Sequence, residues 1–73
     1  MNRQHLLDNP QEARQIYEKL LDQLLQLELQ GLDQTDEADT IREQMDGYWY
    51  AMDDDDRKEM DNKVIAFRQM HNL

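Results

Sequence analysis

The apolar positions of this chain recur at helical intervals and nowhere alternate as a strand would require. From Pro10 they fall at Ala13, Ile16, Tyr17, Leu20, Leu21, Leu24, Leu25, Leu27, Leu29 and Leu32. Among them Ala13, Tyr17, Leu20, Leu24 and Leu27 follow the alternating four-three spacing of a helical seam. Asn9 offers a side-chain acceptor to the free amides of a first turn. Pro10 suits the first helical position, where its missing N–H costs nothing. Gly31 suits the left-handed residue that closes a helix. Together these signals predict a first helix over residues 10–30.

A second apolar face, Ala38, Ile41, Met45, Tyr48, Trp49 and Met52, predicts a helix over 36–52 with Thr35 or Asp36 as its cap. Gly47 weakens it by about 1 kcal/mol relative to alanine and marks where it would kink. Asp53 to Asp56 then read as the start of a third helix over 54–71. Asp53 takes the cap position, and three carboxylates sit in a first turn whose dipole favours them. Met60, Val64, Phe67 and His71 form its inward stripe. Residues 1–9 show no period and are expected to form an arm, with Leu6 or Leu7 folding back as a hydrophobic staple. Residues 10–73 then make one all-α domain. The expected architecture is a small antiparallel three-helix bundle, or a helical hairpin with a third packed helix, with dimerisation as a further option.

The first helix carries more apolar surface than one neighbour can cover. At 100° per residue its apolar positions span about 220°, against about 100° for a one-sided helix. Either this helix is central and touches both others, or the second stripe, Leu21, Leu25, Leu29 and Leu32, meets another chain. On the second helix Tyr50 falls opposite the apolar face, next to Trp49. Tyrosine and tryptophan are frequent anchors of binding surfaces. Ile65 and Met70 also lie off the stripe of the third helix.

Composition and charge narrow the partners. The 73 residues hold 17 acidic and 8 basic side chains, a formal net charge of −9. Asp33 to Asp61 carries twelve of the acids and three of the bases, while residues 62–73 contain no acid at all. Such a chain repels phosphate, so direct nucleic-acid binding and anionic membranes are not expected, and a protein partner with a basic surface is favoured. No apolar run approaches membrane-spanning length, and the first residues lack a signal-peptide core. The absence of cysteine in so small a domain favours a reducing compartment, hence a cytoplasmic location.

The chemistry-bearing motifs fail one by one. An EF-hand loop begun at Asp53 would place Lys58 at its glycine position and Val64 at its final glutamate. His5 and His71 lack the glutamate three residues earlier that di-metal helical sites use. There is no serine, no cysteine and no glycine-rich phosphate loop. The expectation is therefore no cofactor, no metal and no catalysis. The leading function is an acidic adaptor or regulatory module that binds protein through helical faces, using Leu21, Leu25, Leu29, Leu32, Trp49, Tyr50, Asp53, Asp54, Asp55 and Asp56. An alternative is an antitoxin-like inhibitor that mimics nucleic acid and occupies a basic site. A second is a structural homo-oligomer seamed by the first helix. The stretch from Tyr48 to Arg57 looks like a helix–cap–helix junction common in small bacterial helical proteins, which inclines the reading toward a bacterial or phage source.

Overall fold

The computed structural model describes residues 9–73; the expected arm, with its Leu6 and Leu7 staple, lies outside the described residues apart from Asn9. Three helices follow in order: α1 over Pro10–Leu29, α2 over Asp36–Trp49 and α3 over Asp54–His71. Among the described residues there is no strand. The described residues form a small all-α three-helix bundle.

All three helices begin, and α1 ends, where local sequence signals put them. Asn9 Oδ1 accepts hydrogen bonds from the amides of Gln11 and Glu12 at 3.1 and 3.3 Å. Thr35 caps α2: its Oγ1 accepts from the Ala38 amide at 3.3 Å and donates to the Leu32 carbonyl at 2.7 Å. At the end of α1, Gly31 adopts φ +75°. The Leu32 amide donates back to Leu27 O at 2.8 Å and the Gly31 amide to Glu28 O at 3.1 Å. This pair of bonds is a Schellman closure. α3 ends in the same way without glycine. Asn72 takes φ 57°, and the Leu73 amide reaches Arg68 O at 2.9 Å. Asparagine tolerates the left-handed region better than most residues.

α2 is three residues shorter than its apolar pattern implies. It runs through Gly47 without interruption and stops at Trp49. Residues 50–52 form a turn that drops Met52 into the core. Asp53 does occupy the cap position of α3, but its side chain makes no capping hydrogen bond.

α1 runs between the other two helices. It packs closely along α2 and more lightly along α3, while α2 and α3 make only slight contact with each other. The described chain accordingly has a flattened outline of 37 × 27 × 13 Å. This arrangement explains the wide apolar arc of α1. The core joins Ala13, Leu21 and Leu25 of α1 to Ile41 and Met45 of α2, Met52 of the turn and Met60 of α3. Tyr17, Leu20, Leu24, Leu27, Trp49, Val64 and Phe67 pack around it half-buried. Of the expected seam of α1 only Ala13 is fully buried, and the stripe thought to be spare supplies the two deepest leucines, Leu21 and Leu25.

Ion pairs clip α3 to α1 along their length. Arg14 meets Asp56 at 3.3 Å and Glu59 at 2.8 Å. Lys63 meets Asp22 at 2.6 Å and Glu18 at 3.1 Å. Arg68 grips both oxygens of Glu28, at 3.0 and 3.2 Å. Partners that rise together in sequence show that α1 and α3 run parallel, with α2 antiparallel between them in the chain. Burial lowers the Lys63 pKa, but its hydrogen bonds to Asp22 and Glu18 outweigh that and raise it overall. Glu28, which falls inside the apolar arc of α1, is a paired carboxylate.

Candidate protein-docking surface

The ten residues expected to meet a partner are divided by the fold. Leu21 and Leu25 are each 3% exposed and belong to the chain's own core, which corrects their place in a docking stripe. The cause is the central position of α1, which covers the wide arc from both sides. Leu29 and Leu32 remain 39% and 40% exposed, at the end of α1 and in the following turn. Trp49 is half-buried and also turns inward. Its ring lies 5.4 Å from that of Tyr17, and the Arg57 guanidinium sits 6.0 Å from its centroid.

Tyr50, one residue later, is 79% exposed. Its backbone is nonetheless held. Arg57 donates from Nε to the Trp49 carbonyl at 2.8 Å and from a terminal nitrogen to the Tyr50 carbonyl at 3.0 Å. Its other terminal nitrogen meets Asp54 at 2.7 Å. One planar cation therefore satisfies the last carbonyls of α2 and ties them to the first turn of α3. The ring of Tyr50 projects from a fixed main chain.

The four aspartates do different work. Asp54 pairs with Arg57, and Asp56 with Arg14. Asp53 and Asp55 are exposed, with no cation in ion-pair reach among the described residues. The same holds for Asp36, Glu43 and Asp46 on α2. Asp39, Glu43, Asp46 and Tyr50 recur at four-three-four spacing on the side of α2 opposite Ile41 and Met45, so they form one outward stripe. Asp39 is paired with Arg42 at 2.9 Å, and Arg42 also donates to the Asp33 carbonyl at 2.7 Å, closing the loop before α2. Glu43 and Asp46 were not among the expected site residues. Their signal was in the sequence: an acidic row at the same helical spacing as the apolar row, half a turn away.

Asp46 of α2 and Asp61 of α3 lie close enough to Tyr17 to affect its hydroxyl. Burial first, then these two carboxylates, push its pKa above the ordinary 10.0. Among the described residues no three histidine, aspartate or glutamate side chains converge as a metal site would require. A depression of about 350 Å³ between the starts of α1 and α3 is lined by Gln11, Arg14, Gln15, Asp53 and Asp56, and opens to solvent. Among the described residues no helix is long and apolar enough to cross a membrane. No protein-family model matches the chain, and no curated protein or solved structure matches it either.

Proposed function

We propose that this chain is a non-catalytic binding module. It engages a basic surface on a protein partner through the outer face of α2 and the α2–α3 junction. The observation that carries the reading is Tyr50: a highly exposed aromatic ring on a main chain pinned by Arg57, at the end of a row of carboxylates. With its main chain already held, Tyr50 has only side-chain rotamers to lose on binding, which suits an anchor at the centre of an interface. The carboxylates at the rim raise the association rate with cationic partners and reject acidic ones. Their surplus is real at the level of side chains. Arg14, Arg42, Arg57, Lys63 and Arg68 are all engaged within the fold, so they do not neutralise Glu43, Asp46, Asp53 or Asp55.

The test is quantitative affinity capture with four proteins: the intact chain, Tyr50→Ala, the double variant Glu43→Lys/Asp46→Lys, and Lys19→Ala as a control away from the face. Proteins retained by the intact chain and the control, but lost from both α2 variants, support the reading. Retention unchanged across all four removes it. The row of carboxylates at successive turns of α2 also favours a second reading, imitation of a phosphate backbone in a basic groove. The two separate on salt. Imitation loses affinity steeply as ionic strength rises, and docking centred on Tyr50 loses much less. In the first case Glu43→Lys/Asp46→Lys abolishes capture while Tyr50→Ala barely changes it.

A further inference from the structure

The half of α3 beyond Met60 lies on α1 with little apolar support. Met60 is the one fully buried residue of this helix. After it only Val64 and Phe67 reach the core, both half-buried, and α3 makes only slight contact with α2. Charge holds what burial does not. Residues 62–73 contain no acid, and their two cations, Lys63 and Arg68, both turn to α1. Lys63 clasps Glu18 and Asp22, and Arg68 clasps both oxygens of Glu28. The first half of α3 is fixed by other means: Arg57 at the junction, Arg14 on Asp56 and Glu59, and Met60 in the core.

The clasps also mark what this half of α3 covers. At 100° per residue, Glu28 and Asp22 bound an arc of about 120° on α1, and Leu21 and Leu25 fall inside it together with Glu18. Ala13, Tyr17, Leu20 and Leu24 fall outside it. The two deepest leucines of α1 therefore lie on the side that α3 takes, and the exposed Leu29 falls in the same arc. We propose that residues 62–71 are an electrostatic strap. They lift from α1 as one unit while the α1–α2 hairpin stays folded, and the lift bares Leu21 and Leu25 as a stripe continuous with Leu29. A segment with few buried apolar contacts opens at a lower free energy than the whole domain. Partly exposed ion pairs weaken as salt rises, so ionic strength sets how often the strap is open. The contact of α1 with α2 is close and apolar and does not follow the salt. Screening does ease repulsion among the acids of residues 33–61, but the strap itself carries no acid.

This proposal is independent of the α2 reading, because Tyr50, Glu43 and Asp46 stand on the part that stays folded. The test is amide hydrogen exchange resolved by residue, on the full chain at low and high salt. The amides of Val64 to Arg68 should share one opening and exchange faster than those of Leu21 to Leu25 and Ile41 to Met45. High salt should speed them about threefold or more and leave the hairpin amides little changed. Glu28→Gln should speed the same amides at low salt and shrink their response to salt. The exchanged pair Glu28→Arg/Arg68→Glu should restore protection. Arg42→Gln, which breaks a pair within α2, should leave α3 as it was. Equal protection of all three helices overturns the proposal, since the domain then opens only as a whole. So does protection that declines smoothly toward Leu73, which is fraying of a helix end, or exchange in α3 that high salt leaves unchanged or slows. An exchanged pair that fails to restore protection overturns it as well.

Discussion

Replacing Arg57 with alanine should unlock the α2–α3 junction, and the geometry sets the size of the effect. The guanidinium makes two charge-assisted bonds to main-chain carbonyls and lies over the Trp49 ring. Each such bond is worth about 1.5–3 kcal/mol when shielded from water. Two discounts apply. The Trp49 carbonyl keeps a longer bond from the Met52 amide, at 3.3 Å, so it is not orphaned. The Tyr50 carbonyl is open to water, which replaces much of what is lost. With a small contribution from the aromatic contact, the net cost is about 1.5 kcal/mol. For a domain of this size that lowers Tm by roughly 6–12 °C. Thermal melts by circular dichroism give the shift. Trp49, the sole tryptophan, reports the loss of the overlying cation through its emission. Arg57→Lys should recover less than half of the shift, because an ammonium cannot bond both carbonyls as a planar fork does. Asp54→Asn should leave Tm almost unchanged, because Asp54 is nearly fully exposed. A drop of less than about 3 °C for Arg57→Ala, in the range of an ordinary surface substitution, would refute the view that this side chain pins Tyr50.

Three further outcomes follow from the packing. Gly47 lies inside α2 with open space where a Cβ would go, so Gly47→Ala should stabilise by about 0.5–1 kcal/mol in urea titrations; Gly31→Ala, at φ +75°, should destabilise by about 1 kcal/mol. Leu25→Ala should cost about 2.5–4 kcal/mol, and Leu29→Ala at the edge of the same stripe about 1 kcal/mol or less, measured the same way; equal costs would contradict the division of that stripe between core and surface. Stability should fall at alkaline pH. The folded chain holds the Tyr17 proton more tightly than the unfolded chain does, so its contribution is complete below about pH 10 and is lost as pH rises through the elevated folded value. Lys63, raised by its two carboxylates, adds to the same decline. Tyr17→Phe should reduce the alkaline slope of stability against pH, and an unchanged slope would assign the decline to other groups.

The helices were legible because each boundary has a local chemical cause. Asn9–Pro10, Gly31 and Thr35 act within a turn of where they stand, so reading along the chain finds them; Asp53 holds the cap position of α3 without a capping hydrogen bond. The end of α2 was not legible in this way. Met52 continues the apolar spacing of that helix. What breaks the helix is Arg57, seven and eight residues beyond the carbonyls it binds, together with the burial available to Met52 once the chain turns. The leucines of α1 failed for a related reason. Spacing shows that two stripes exist. Which one lies deeper depends on how many neighbours the helix has, and that is a property of the assembled bundle. Trp49 and Tyr50, by contrast, fall on opposite faces by spacing alone, and the structure packs the first against the core and leaves the second exposed.

The charges show a similar division, and it bears on how so acidic a chain folds. The carboxylates nearest α1 and at the junction, Glu18, Asp22, Glu28, Asp54 and Asp56, are matched by Lys63, Arg68, Arg57 and Arg14. These contacts bridge separate helices or close a turn. Individually each is worth little at an exposed site. Together they hold α3, whose apolar burial is slight, in a defined register on α1. Asp36, Glu43 and Asp46 of α2 form no ion pair within the described fold. Repulsion among them opposes compaction, and the close packing of α2 on α1 has to exceed it. A chain under selection for stability alone would distribute its cations toward that row. Here Arg14, Lys63 and Arg68 are spent on joining α3 to α1, and only Asp39 of the row is paired, by Arg42; Glu43 and Asp46 stay unpaired beside Tyr50, which is the physical basis for the proposal that this face of α2 meets a basic partner.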